Sequence, residues 1–377
     1  MRRCVLNLAL LAGCAFSASP SAAPATSTAD WSFSLDALSW ESRGSPLGIP
    51  FISTGTLGEA GTQIVFGPGA AELGMRGGAR LGVSRALSDA SALEFSAFGL
   101  ERGSYAAGMA SDASPGSLHL YIPYIDPQTG HETATDFSVP GLYSGAASLR
   151  SSERLRGAEL DYRWQLPLSR AFALDALVGV AVLDLSESMT LDTASPLLPE
   201  WGSDVWETHD RFATRNRFHG LQVGLRARAE HNGFFGSADF KLAVGRLHQQ
   251  VIIDGVLHTD DYTEFETVEQ FPGGYFALPS NIGHHRRNTF GVMPQAKLEF
   301  GYHFNEFLSA QIGYSALYAT RIVRPGPQVN RRIDTGQSTS YTEVPMPQPV
   351  AGAQPAFAFQ NSNYFVHGIH AGITLTF

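Results

Sequence analysis

Gly368-Ile369-His370-Ala371-Gly372-Ile373-Thr374-Leu375-Thr376-Phe377 alternates without a slip. Ile369, Ala371, Ile373, Leu375 and Phe377 fall on one face, while Gly368, His370, Gly372, Thr374 and Thr376 fall on the other. A strand repeats every two residues, so the segment carries one apolar face and one small or polar face. A strand of a soluble sandwich shows the same alternation. This one stands last, ends on an aromatic residue and follows an export-type leader. Together these features predict the closing strand of an outer-membrane β-barrel, with its apolar face toward lipid and its small face toward the lumen.

The rest of the chain agrees with that reading. Of its 377 residues 44% are hydrophobic, yet mean hydropathy is only −0.06. The long apolar run is Val5–Phe16, behind Arg2 and Arg3, too short for a spanning helix and placed as a signal peptide. A membrane protein without spanning helices must close a β-barrel, because only closure pairs every backbone group in lipid. Residues 1–25 are therefore expected to be a signal peptide, cut after Ala23-Pro24-Ala25, and residues 26–377 one outer-membrane barrel domain. Leu11-Ala12-Gly13-Cys14 also resembles a lipoprotein box, so lipidation at Cys14 stands as the alternative to a plain signal core. The two cysteines, Cys4 and Cys14, both lie in this leader, so the mature chain offers no disulfide framework. A net charge of −9 argues against nucleic acid as a partner.

Strand-like segments recur over Trp31–Trp40, Arg76–Ala86, Ala92–Leu100, Arg154–Trp164 and Phe172–Leu185. They continue over Arg211–Arg228, Phe234–Val244, Thr289–Phe304, Phe307–Arg321 and Tyr364–Phe377. That predicts an all-β, closed antiparallel transmembrane barrel of about ten strands, within a range of eight to twelve. Short turns follow the second, fourth, sixth and eighth segments, and long connectors follow the others. Short periplasmic turns against long outer loops are the expected asymmetry. The stretches Ser144–Leu149 and Leu247–Ile253 either extend strands or add a hairpin. The Gly-rich connector Leu57–Gly74 either plugs the lumen or stands outside. Aromatic residues near strand ends (Trp31, Trp40, Trp164, Tyr302, Phe304, Tyr314, Tyr318, Tyr364 and Phe365) are expected in interfacial girdles.

Several motifs carry a resemblance. They include Leu57–Thr62 with Phe66-Gly67, Pro140–Gly145, Asp210–Gly220, Gly245–Gln249 with Ile253–Gly255, Leu278–Gly283, Val323–Gly326 and Pro355–Phe357 with Phe359. In order and spacing they resemble the bacterial outer-membrane family known as putative beta-barrel porin family seven, over nearly the whole mature chain. The resemblance implies an outer-membrane barrel. It supplies no substrate and no functional residues.

The inward face predicts lumen-lining charges of both signs: Arg80, Glu94, Glu159, Asp161, Arg163, Arg226, Asp239, Lys241, Lys297 and Glu299. About ten strands enclose little more space than side chains fill, so a salt-bridged filling is favoured over an open pore for small solutes. Structural or adhesive surface roles are the alternative. An omptin-like hydrolase is a further one, with Asp204, Glu207, His209, Asp210, Asp254, His258, Asp260 and Asp261 assigned to outer loops. No two of these show a recognised catalytic spacing, so the expectation is no enzyme, no cofactor and no metal. Adjacent His284 and His285 point to opposite faces of a strand, and the acidic run Asp260–Glu269 lacks a calcium-loop pattern. The expected partners are outer-membrane lipids and, through Ile373, Leu375 and Phe377 as a terminal signal, the barrel-assembly machinery.

Overall fold

Inward and outward side chains alternate along ten principal strands, each hydrogen-bonded to two others. The computed structural model describes residues 31–166, 172–260, 269–338, 340–341 and 353–377. The strands are β1 (Trp31–Ser42), β2 (Met75–Ser88), β3 (Ser91–Leu100), β4 (Gly145–Leu166) and β5 (Phe172–Pro196). They continue as β6 (Val205–His231), β7 (Phe234–Thr259), β8 (Gly283–His303), β9 (Leu308–Val323) and β10 (Asn361–Thr376). Every consecutive pair from β1 to β10 is antiparallel. β10 then pairs with β1 from Ser32↔Thr376 to Ser42↔Val366, so the ladder returns to its first strand. Trp31 and Phe377 extend this last ladder with reciprocal backbone bonds of 3.1 and 2.8 Å.

The short connections β2–β3, β6–β7 and β8–β9 gather at the end that holds Trp31 and Phe377. Asn232 and Gly233 make a two-residue turn between β6 and β7, with φ of 51° and 82°. Such left-handed pairs match the right-handed twist of the flanking strands. At this end the outward positions are apolar and bare, as at Leu35, Leu81, Phe95, Val178, Phe240, Leu298 and Ile312, and Leu221 is 73% exposed. Ile373, Leu375 and Phe377 belong to the same exposed apolar face.

The opposite end is lopsided. β4 to β8 run 22, 25, 27, 26 and 21 residues, against 12, 14 and 10 for β1 to β3. A further strand, Gly103–Ser111, lies along the outer half of β4 where β3 has ended. Four short strands, Ile52–Ser53, Ile64–Phe66, Leu120–Ile125 and Glu132–Ser138, form a small separate sheet. The long connections fold inside the tall wall. Phe51, Ile52, Phe66, Ile122, Phe137, Phe276 and Ile333 pack there against Leu149, Leu191, Phe212, Val251 and Ile253 of the strands. The Asp210 carboxylate, pointing inward from β6, accepts the backbone N–H groups of Tyr275, Phe276 and Ala277 at 2.9, 3.0 and 2.6 Å.

Two open alternatives resolve here and two expectations need correction. Gly145–Leu149 and Leu247–Ile253 extend β4 and β7, the first of the two readings offered for them. Part of the Leu57–Gly74 connector turns inward, with Phe66 and Ala71 buried. Trp40 and Tyr364 are not girdle residues: both face inward and are 2% and 0% exposed. Glu207, His209, Asp210, Asp254 and His258 lie in the extended strands β6 and β7 rather than in loops, and Asp210 is buried. The leader with Cys14, the turn after Leu166, Asp261 and most of the acidic run up to Glu269 lie outside the described residues.

Candidate functional site

The inward alternation of the lower strands places small and charged residues around one cavity of about 480 Å³. All ten of the sequence-derived lining residues, Arg80, Glu94, Glu159, Asp161, Arg163, Arg226, Asp239, Lys241, Lys297 and Glu299, face it. Its rim at the short-turn end includes Trp31, Glu230, His303 and Thr376, and its far end meets Trp40, Leu183, Met293 and Leu317. It is a cup, open at one end and floored with apolar side chains.

The charges in the cup are paired, as burial requires. Lys241 Nζ donates to Glu159 and Asp161, each at 2.7 Å. Arg226 donates to Glu94 at 2.9 Å and to Asp239 at 3.0 Å. From there the network extends both ways. Arg163 lies 2.9 Å from Glu94 and 3.7 Å from Asp175, and Arg228 lies 2.9 Å from Asp175. Lys297 lies 3.8 Å from Asp239 and 2.9 Å from Glu299, and Glu299 lies 3.2 Å from His370. The Ser315 hydroxyl links His370 at 3.2 Å to Arg80 at 3.3 Å, and Arg80 lies 3.9 Å from Asp36. This run of contacts takes a residue from every one of the ten strands. The alternation names most of its members. Asp36, Asp175, Arg228 and His370 were not among the lining charges read from sequence, although each occupies an inward position of its strand.

Asp36, Glu299 and His370 bring potential metal-ligand atoms within 4.8 Å of one another. Each already has a protein partner: Gln311 donates to Asp36 at 2.9 Å, and Glu299 meets Lys297 and His370. The cluster is thus satisfied as part of the ion network.

Above the cup the interior changes character. Leu38, Leu100, Leu155, Leu183, Phe218, Leu247, Met293, Leu317 and Val366 form one apolar layer, to which every strand but β2 contributes. β2 contributes Gly78 instead, where a Cβ would stand 2.8 Å from Leu100 Cδ2. Phe98 crosses toward β4 because Gly157 leaves room: a Cβ there would lie 2.4 Å from its ring. Trp40 packs on Phe98 with ring centroids 5.3 Å apart.

Over this layer sits a second, buried ion cluster that the sequence reading missed. Arg324 Nη2 lies 2.7 Å from Glu187 and 3.4 Å from Glu153, and Arg76 lies 2.5 Å from Glu153. Tyr364 donates to Glu153 at 2.7 Å, and Arg324 Nη1 donates to the carbonyls of Arg43 and Gly44 at 3.0 and 3.1 Å. All four charged side chains are at most 4% exposed. A bulge delivers Arg324. The β9–β10 register shifts between Ala319 and Ile322, with Arg321 at φ 57°. Beyond it Asn216 grips Val323 through both backbone groups, at 2.8 and 3.0 Å. No period in the sequence announces a loop arginine returning to the interior.

On the outer wall, His209 Nδ1 lies 2.6 Å from Asp192 Oδ1, beside Glu207 and His258 in a shallow groove. Asp192 and His209 are directly opposed cross-strand neighbours, so the contact is that of an ordinary sheet ion pair. His285 stacks on Phe357 at 3.6 Å while His284 faces outward, so the two histidines share no ligand.

The chain matches the family described as Putative beta barrel porin-7 (BBP7) over residues 39–377. No curated protein matches it. Among solved structures it is similar to the outer membrane protease OmpT from Escherichia coli, at 9% identity and a TM-score of 0.43, with 92% of this chain and 97% of that one covered. It is also similar to the toluene transporter TodX of P. putida, at 10% identity and a TM-score of 0.21, covering 94% and 91%. An anion-selective porin from Comamonas acidovorans aligns at 9% identity and a TM-score of 0.19, covering 93% and 99%. None reaches a TM-score of 0.5, so none bears on what this chain does.

Proposed function

The chain belongs to the BBP7 family, and we propose that it is an outer-membrane β-barrel, closed at β1–β10 and plugged, that displays a rigid head at the surface. The belt of bare apolar residues near the short turns supports residence in lipid, because water would not tolerate it and hydrocarbon does. On this reading the short turns and Phe377 face the periplasm, and the tall wall of β4–β8 stands outside.

One observation carries the plugged reading. The apolar layer through Leu155, Leu183, Phe218, Leu247 and Leu317 crosses the interior with no side chain named in it more than 6% exposed. A solute leaving the charged cup meets hydrocarbon, then buried ion pairs, then folded connections. The role is therefore structural or adhesive, and not enzymatic; the Asp192–His209 contact reads as sheet stabilisation. The test is a planar bilayer holding purified, heat-modifiable protein. No discrete conductance is expected; steady ohmic steps would overturn the plugged reading in favour of a small-solute channel. Loss of a measured hydrolysis in Asp192→Asn would overturn the non-enzymatic one.

A further inference from the structure

We infer that the outward face of β4–β8, just beyond the apolar belt, binds the phosphorylated head group of an outer-leaflet glycolipid. The inference rests on the outer-membrane reading above. On four of these strands the outward positions past the last belt residue turn basic or polar. Beyond Ala158 of β4 come Arg156 and Arg154, and beyond Leu221 of β6 come His219, Arg217 and Arg215. Beyond Val244 of β7 come Arg246 and His248, and beyond Phe290 of β8 come Asn288 and Arg286.

Strand register turns these positions into a patch. Arg156, Asp184, Arg217, His248 and Asn288 lie side by side. The next outward row is Arg154, Ser186, Arg215, Gln250 and Arg286. Five strands at the usual spacing make the patch about 19 Å wide. It holds one carboxylate, Asp184, which Arg215 engages at 3.0 Å and Arg217 approaches at 3.7 Å. Among the described residues Arg154, Arg156, Arg246 and Arg286 have no carboxylate partner, and all four are exposed.

The other half of the ring is different. The corresponding outward positions are Ser39 and Glu41 on β1, Gly77 on β2, Gly99 on β3 followed by Glu101, and His367 on β10. None of these positions is an arginine or lysine, and the exposed arginines of that flank near this border stand apart: Arg321 at the β9 bulge donates to the Phe290 carbonyl, and Arg43 and Arg102 follow the ends of β1 and β3. A chain of net charge −9 thus gathers six outward arginines on one flank, at one border of its apolar belt.

That border selects the ligand. A molecule seated there has acyl chains against the belt and its head against the guanidinium groups. Arginine forks match phosphate oxygens two at a time, and several forks across this width suit a head group with more than one phosphate. On the side away from the short turns, that is the bisphosphorylated sugar lipid of the outer leaflet rather than a single-phosphate glycerolipid.

The test is native mass spectrometry of the full folded protein in detergent with three probes: bisphosphorylated lipid A, the same lipid stripped of both phosphates, and phosphatidylglycerol. Lipid A is expected to be retained at least tenfold better than either of the others. In R156Q/R217Q/R246Q that preference is expected to vanish while heat-modifiability persists. Equal retention of the phosphate-free lipid or of phosphatidylglycerol by wild type, a comparison that needs no variant, would overturn the inference. So would an undiminished preference in the folded variant. A chain that stays monomeric without detergent would instead fail the outer-membrane reading on which the inference stands.

Discussion

Arg226 on β6 and Glu94 on β3 meet at 2.9 Å although two strands of the ring separate theirs. No sheet ladder joins these strands, so the pair is a strut across the interior. Arg163 shares the same carboxylate, which makes Glu94 the node between two cations.

Glu94→Ala should therefore be among the costliest single changes in the cup. It leaves two guanidinium groups without their shared partner in a confined interior, a loss of about 3 kcal/mol. Urea unfolding in detergent measures it. A double-mutant cycle with Arg226→Ala should return a coupling energy well above the ~0.5 kcal/mol of an exposed pair.

Phe218→Ala empties part of the apolar layer. Phe218 is 4% exposed and fills the space left by Gly220, so the layer has nothing close to collapse into the void. The expected loss is about 3–5 kcal/mol, read as an earlier unfolding transition.

Arg324→Gln tests the upper cluster. It leaves Glu187 and Glu153 buried with only Arg76 to neutralise them, a cost of about 3–5 kcal/mol. Arg324 also holds the carbonyls of Arg43 and Gly44. Limited proteolysis should then cut within residues 43–74 or 324–338 at protease levels that leave wild type intact.

Stability should depend on pH through two carboxyls above the apolar belt. Burial, with Glu153 nearby, pushes Glu187 from 4.5 up to about 7 despite Arg324, and burial pushes Asp210 from 3.8 up to about 6 despite its three backbone donors. The folded state thus holds these protons more tightly than the unfolded chain. That stabilisation is complete below the ordinary carboxylate values and is lost as pH rises through about 7. The denaturation midpoint should be higher at pH 5 than at pH 7.5, and Glu187→Gln should narrow the difference.

Removing Phe377 takes away the backbone groups that exchange hydrogen bonds with Trp31. Folded, heat-modifiable protein should accumulate several-fold less in cells, while protein refolded in detergent keeps nearly its full stability. Pulse-labelling followed by unboiled gels separates the two.

How much of this was legible in the sequence depends on whether a residue answers to the strand period. Leu221, Val223 and Leu225 against Gln222 and Arg226 are local facts, and alternation reads them directly. The ten cup residues follow from the same rule. The upper cluster does not: Glu153 precedes the expected start of its strand, and Arg324 comes from a connection after a bulge. Trp40 and Tyr364 were assigned to interfacial girdles by their strand-end positions, but their faces are the inward ones, and the period outweighs residue type. The inward packing of Phe51, Phe66 and Phe276 depends on contacts far apart in sequence, which no local pattern encodes.

The β1–β10 ladder has a kinetic consequence. Its register runs from Ser42↔Val366 to Ser32↔Thr376, so the contact that completes the ring joins residues almost a whole chain length apart. Loop-closure entropy is greatest there and is offset only once the remaining strands are in place. Until that moment both β1 and β10 present open edges able to recruit a neighbour's strand. For this protein the hazardous interval is the assembly of the sheet, and formation of the β1–β10 ladder ends it.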